Sequence, residues 1–173
     1  ELRINTANAG RVSKKITVKS GALRFSGSSS NKTKCNGNNI ILVEKSGKVY
    51  GSTALFHAIQ ASDGGVFSIT GTSDSPTTIT TSENATNIIK NGAVLDFKLK
   101  SADNYSYLNC KGTLTFYDGG ILRVRLGDGF TPAAGTEFKL WTANTVSGVT
   151  AEKVVLDLPV LPAGLKWDTI SLY

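Results

Sequence analysis

Short runs in which apolar and polar residues alternate recur along the whole chain, and a glycine corner introduces most of them. Ser20-Gly21-Ala22-Leu23-Arg24-Phe25, Asp63-Gly64-Gly65-Val66-Phe67-Ser68-Ile69, Asn91-Gly92-Ala93-Val94-Leu95-Asp96-Phe97 and Asp118-Gly119-Gly120-Ile121-Leu122-Arg123-Val124 share one form. A polar residue is followed by glycine, a small residue and an alternating stretch. Glycine turns the corner at a positive φ that a Cβ would oppose, and alternation sends one side chain inward and the next to solvent. Each run therefore predicts a half-buried β-strand. Ser46-Gly47-Lys48-Val49-Tyr50 and Lys111-Gly112-Thr113-Leu114-Thr115-Phe116 are weaker versions. The predicted inward ladder is Leu23, Phe25, Val66, Ile69, Leu95, Phe97, Leu114, Phe116, Leu122 and Val124.

The corner glycines at 21, 47, 64, 92 and 119 are separated by 26, 17, 28 and 27 residues, the interval of one solenoid coil. Coils of this kind cover one another's apolar faces and tolerate insertions at corners such as 27–31 and 72–76. The expected fold is all-β, a right-handed parallel β-helix with a C-terminal β cap. An antiparallel β-sandwich uses the same corners and stands as the alternative, because periodicity does not separate parallel from antiparallel neighbours. Residues 52–61 carry apolar positions at helical spacing behind a Ser/Thr cap, yet they lead into Asp63-Gly64-Gly65, so Leu55–Ile59 is read as a strand. Past residue 126 the character changes to a loop over 127–136 and a strand over 137–142, and three of the four prolines fall here. Pro159 and Pro162 bracket Val160-Leu161, which makes that stretch an edge or crossing segment. One domain is expected, with coils over 1–126 and a cap over 127–173.

Composition sharpens this picture in three places. Among 173 residues, 18 are glycine and only 18% are charged, which excludes a coiled coil and a disordered chain. The net charge of +6 favours polyanions, but the basic residues are scattered and only Lys14-Lys15 are adjacent, so nucleic acid is not expected as a partner. No apolar run approaches the about 20 residues of a membrane-spanning helix, and Glu1-Leu2-Arg3-Ile4-Asn5 is no signal peptide. Methionine is absent and no cap precedes the first strand, so the chain is expected to be a piece of a longer product, continuing into further coils or another domain.

The last third carries a resemblance. Gly112-Thr113-Leu114-Thr115-Phe116, the stretch from Gly127-Asp128-Gly129 through Ala134-Gly135-Thr136 to Leu140-Trp141, and Leu158-Pro159-Val160-Leu161-Pro162-Ala163-Gly164-Leu165-Lys166-Trp167-Asp168-Thr169 follow one another in order. This resembles the C-terminal end of autotransporter-like, β-strand-repeat surface proteins of Bacteroidota-type bacteria, although Ile170 stands where that group usually has serine. The resemblance implies an exported β-helical protein of the cell surface, or an appendage of a β-helical enzyme. It also implies a short further strand beyond Tyr173. Asp168-Thr169-Ile170 is similar to a short acceptor for O-glycosylation in such bacteria, which marks Thr169.

Reactive constellations are sparse. His57 is the one histidine and no Gly-x-Ser-x-Gly elbow accompanies it, so neither a serine nor a cysteine nucleophile is expected. Cys35 and Cys110 lack the partners of a zinc site, and no metal or cofactor is expected. They form either two buried thiols or a disulfide, with thiols the expectation. Asp63, Asp118 and Asp128 each precede glycine as turn residues, and Asp96 reads as a solvated mid-strand residue. Trp141 and Trp167 are expected in the core of the cap, with locally bonded indoles. The remaining binding candidates are Tyr105 and Tyr107, whose rings would stack on a sugar, and Arg123 and Arg125, whose guanidinium groups match a carboxylate.

These readings lead to an extracellular or cell-surface structural or adhesive module, non-catalytic, contacting polysaccharide or host glycans. The alternative is an accessory part of a β-helical polysaccharide-degrading enzyme.

Overall fold

Strands form where the alternation is, and the ladders between them run mostly parallel. The computed structural model describes residues 2–5, 15–26, 33–34, 40–51, 54–56, 58–71 and 73–172. Lys14, Cys35, His57 and the corner at 27–31 lie outside the described residues. In chain order the strands of the first half are β1 (Leu2–Asn5), β2 (Ile16–Val18), β3 (Ala22–Ser26), β4 (Thr33–Lys34), β5 (Ile40–Val43), β6 (Lys48–Gly51), β7 (Ala54–Phe56), β8 (Ala58–Ala61) and β9 (Val66–Ser68). The second half adds β10 (Thr78–Thr81), β11 (Thr86–Ile89), β12 (Val94–Ser101), β13 (Asn104–Tyr105), β14 (Tyr107–Phe116), β15 (Gly120–Leu126), β16 (Trp141–Ser147) and β17 (Val154–Asp157). Within 52–61 the described residues Ala54–Phe56 and Ala58–Ala61 are strands, as the glycine corner after them predicts, and a 3-10 turn closes the described chain at Ile170–Leu172.

Two sheets result. The first runs β1-β3-β6-β9-β12-β15-β17, with β13 folded back antiparallel on β12. The second has the long β14 at its centre: β10 pairs with its first half and β11 with its second, β16 lies on its other side, and β7-β4 and β8-β5-β2 continue outward. Between successive strands of the first sheet the chain thus gives one or two strands to the second. Apart from the β12–β13 hairpin and a bridge between Thr70 and Pro76, the described pairings are parallel, which is not the ladder of an antiparallel sandwich.

One column of the first sheet shows why the strands align. Leu2, Leu23, Val49, Phe67, Leu95, Leu122 and Leu156 stand in register across seven strands. A slip by one residue would turn every inward side chain to solvent, so apolar burial sets the register. Phe25, Phe67, Phe97 and Phe116 are buried, and each contributes about 1.5–3 kcal/mol relative to exposure. The predicted ladder is buried except at Val66, which registers with Lys48 on the outward side while Phe67 takes the inward place. After a two-glycine corner the sequence does not say which of two successive apolar residues turns in.

The last third also departs in detail from expectation. The strand predicted over 137–142 begins at Trp141 and runs to Ser147. Phe138 is drawn out of it by aromatic contacts, edge-on to Tyr105 at 5.4 Å and to Phe130 at 6.2 Å. Trp141 packs against Phe97 and Phe116, and the Trp167 indole N–H donates to the Pro159 carbonyl at 2.8 Å. β16 and β17 extend both sheets by one further strand. Between this last layer and the overhanging segments lies a largely apolar cleft of about 1190 Å³, lined among others by Leu122, Phe138, Trp141, Leu158, Leu161 and Trp167.

Candidate functional site

The outward face of the first sheet carries the polar residues that alternate with the core column. Ser68, Asp96, Arg123 and Asp157 stand in register there, and two residues further on Lys98 stands beside Arg125. The segment after β9 folds over this face. The Gly51 N–H donates to the Thr70 carbonyl and the Ile69 N–H to the Asp96 carbonyl, both at 2.8 Å. Thr70 then bridges Pro76, and the tip closes with Gly71 N–H on Ser75 oxygen at 2.7 Å and Asp74 N–H on Gly71 oxygen at 3.1 Å. Asp74 sits there at φ 52, a left-handed conformation that aspartate tolerates better than most residues.

That turn brings the Asp74 carboxylate onto Lys98 and Arg125. Arg125 donates from Nε and Nη2 to the two oxygens of Asp96, both at 2.8 Å, and from Nη1 and Nη2 to the two oxygens of Asp74, both at 3.1 Å. The planar guanidinium thus holds two carboxylates at once, each in bidentate fashion. Lys98 Nζ adds a 2.7 Å contact to Asp74, and Ser68 Oγ donates to Asp96 at 2.6 Å. Ser106 locks the base of the insertion by donating to the Ile69 carbonyl at 2.5 Å while accepting from the Lys98 N–H.

Asp96 is not the solvated strand residue that alternation predicts. Its side chain is 3% exposed, because the insertion and Arg125 cover the outward face at this point. A buried carboxylate needs charge-paired hydrogen bonds, and Asp96 has them on both oxygens. The hydrogen bond from Arg125, with help from Lys98 and against the opposing effect of burial, lowers the Asp74 carboxyl to about 2. The bond to Asp96 raises the Arg125 guanidinium above its usual range, again against burial and with a further contribution from Asp74. Both carboxylates of this cluster are thus held as charged partners of the Arg125 guanidinium. A pocket of about 270 Å³ opens beside it, lined by Lys48, Tyr50, Thr70, Gly71, Asp74 and Arg125.

The four binding residues expected from sequence fall in different places. Arg125 is in the cluster. Arg123, on the same strand, pairs with Asp157 at 2.6 Å. The Tyr107 hydroxyl bonds to the Thr142 hydroxyl at 2.7 Å, tying β14 to β16, and Tyr105 lines the apolar cleft against Phe138. Thr169 is half-buried in the lining of that same cleft. Cys110 is a free, buried thiol at 3.0 Å from Asn87 Nδ2. The described residues hold no group of three metal-ligating side chains. Lys48, Tyr50, Asp74 and Lys98 escaped the sequence reading. The coil spacing that sets Asp96 beside Arg123 also sets Lys98 beside Arg125, and it was the one signal available. Nothing in the sequence shows that the polar insertion folds back to deliver Asp74.

Comparison of this chain with protein-family models, with curated proteins and with solved structures gives no match. Among the described residues no helix is long and apolar enough to cross a membrane.

Proposed function

We propose that the chain is a non-catalytic structural and adhesive module of an extracellular or cell-surface protein, wound as a right-handed parallel β-helix. The winding accords with parallel ladders whose partners lie one coil apart, and crossovers between parallel strands of one sheet are overwhelmingly right-handed. Export and surface location rest on the resemblance of the last third to autotransporter-like surface proteins. The observation that carries the non-catalytic reading is the double grip of Arg125 on Asp74 and Asp96, with Asp74 held near pKa 2. The acids of the most organised polar cluster are engaged as ion pairs, and a glycosidase or lyase needs an acid or base free to move a proton. A stack of coils with an extended outward face serves spacing and adhesion without a catalytic centre.

The test is a glycan array run beside lyase and hydrolase assays on uronate-rich and neutral polysaccharides. Binding without turnover is the expected result. Turnover abolished by Asp96→Asn or Arg123→Gln in a folded variant would overturn the reading in favour of an enzyme component.

A further inference from the structure

The pocket beside the Arg125 fork has a composition that the ion pairs do not use up. Lys48 and Tyr50 stand on β6, where the Gly51 N–H holds the base of the insertion against the strand. The Lys48 ammonium lies 5.3 Å from the centroid of the Tyr50 ring, and no carboxylate among the described residues pairs with it. Arg125 and Lys98 are balanced by Asp74 and Asp96, so Lys48 leaves the pocket one positive charge in excess.

The facing wall is the Asp74 carboxylate. Lys98 and Arg125 place three donors on its oxygens, out of about four acceptor positions that a carboxylate offers. Its side chain remains 45% exposed and lines the pocket, which leaves acceptor capacity at that wall. The ion pairs and the closed hairpin fix this carboxylate before any ligand arrives, which lowers the entropy lost on binding. The space of about 270 Å³ equals roughly nine waters at about 30 Å³ each, room for a single six-membered ring with its substituents.

A ligand that matches these walls carries an anionic group for Lys48 and a hydroxyl donor for Asp74. We propose that the pocket formed by Lys48, Tyr50 and Asp74 is a subsite for one carboxylate-bearing sugar, a uronate residue of an acidic polysaccharide. The adhesive-module reading supplies the setting in which such a polymer is met. The pocket itself stands on its own geometry.

Calorimetric titration of the purified chain with a hexuronate disaccharide, its neutral hexose counterpart and acetate tests this. The hexuronate saturates one site, and the neutral sugar and acetate each bind at least about 10-fold more weakly. Lys48→Met lowers hexuronate affinity about 10-fold or more, Lys48→Arg restores most of it, and Lys111→Gln on the other sheet leaves it unchanged, with circular dichroism confirming the fold of each. Added salt weakens the binding. Acetate binding as tightly as hexuronate would reduce the pocket to a simple anion site and overturn the proposal. Undiminished sugar binding by a folded Lys48→Met would overturn it too, while leaving the module reading intact. Conversely, turnover of the sugar that depends on Lys48 would overturn the module reading and keep the subsite.

Discussion

Asn87 is fully buried among apolar side chains, and its amide is used on both ends. Its Oδ1 accepts from the Ile59 N–H at 3.0 Å, and its Nδ2 lies within hydrogen-bond reach of Thr81 Oγ1, Cys110 Sγ and the Thr113 carbonyl. From β11 it thus joins the backbone of β8, at the Ile59 N–H, to that of β14, at the Thr113 carbonyl. Asn87→Ala should therefore destabilise the chain by about 1–3 kcal/mol, read as a lower midpoint in urea unfolding, because Ile59 N–H is left buried and unsatisfied. Asp74 gives a second, pH-dependent effect. Its folded carboxyl is lowered from 3.8 to about 2, so its contribution is complete above the unfolded value and disappears as pH falls through the folded one. With 45% of that side chain exposed, solvent screening keeps the contribution below about 1 kcal/mol. Asp74→Asn should be slightly less stable than the parent above about pH 4 and indistinguishable near pH 2, in unfolding followed across that range. An equal deficit at both ends would show that the ion pairs do not carry the effect. Neither residue was legible in the sequence. An asparagine and an aspartate in polar company look like surface residues, and only the folded register reveals what covers them.

The strands themselves were far more legible, because alternation and a glycine corner are local signals. Gly21, Gly64, Gly92 and Gly119 all adopt positive φ at the corners where the pattern places them. Tertiary contact decided the remainder: Phe67 rather than Val66 turns inward, and the β16 strand starts later because Phe138 finds Tyr105 and Phe130. Two glycines near the C-terminus separate backbone conformation from packing. Gly129 and Gly148 have nearly equal φ, 72 and 74, but a Cβ on Gly129 would meet nothing within 4 Å, whereas one on Gly148 would press on the Phe116 carbonyl oxygen. Gly129→Ala should cost about 1–2 kcal/mol from the left-handed conformation alone. Gly148→Ala adds overpacking of about 1–3 kcal/mol against the end of β14. Thermal unfolding of the two variants measures the gap, and equal losses would mean that the approach of residue 148 to Phe116 is easily relaxed.

Taken as a stack, the molecule has an order of stability that follows from its topology. Along the main path of the first sheet each strand pairs only with its neighbours in that order, so ladder support is a nearest-neighbour quantity. β12 has β9 on one side and β15 on the other, and β14 is flanked by β10 and β11 on one side and β16 on the other. β16 and β17 have one ladder partner each among the described residues, and Val146 and Val155 on them are 43% and 52% exposed. Apolar burial cannot hold such a layer as firmly as an inner one, and its opening need not disturb the strands beneath. Amide hydrogen exchange under native conditions should therefore show the ladder amides of Trp141–Ser147 and Val154–Asp157 exchanging well before those of Val94–Ser101. The inner amides should exchange only with global unfolding. If instead all three segments exchange together with the free energy of global unfolding, the last layer is locked to the stack by contacts stronger than its ladder. The overhanging segments around the apolar cleft would then be the part of the chain that clamps it, and Trp167→Ala should release it.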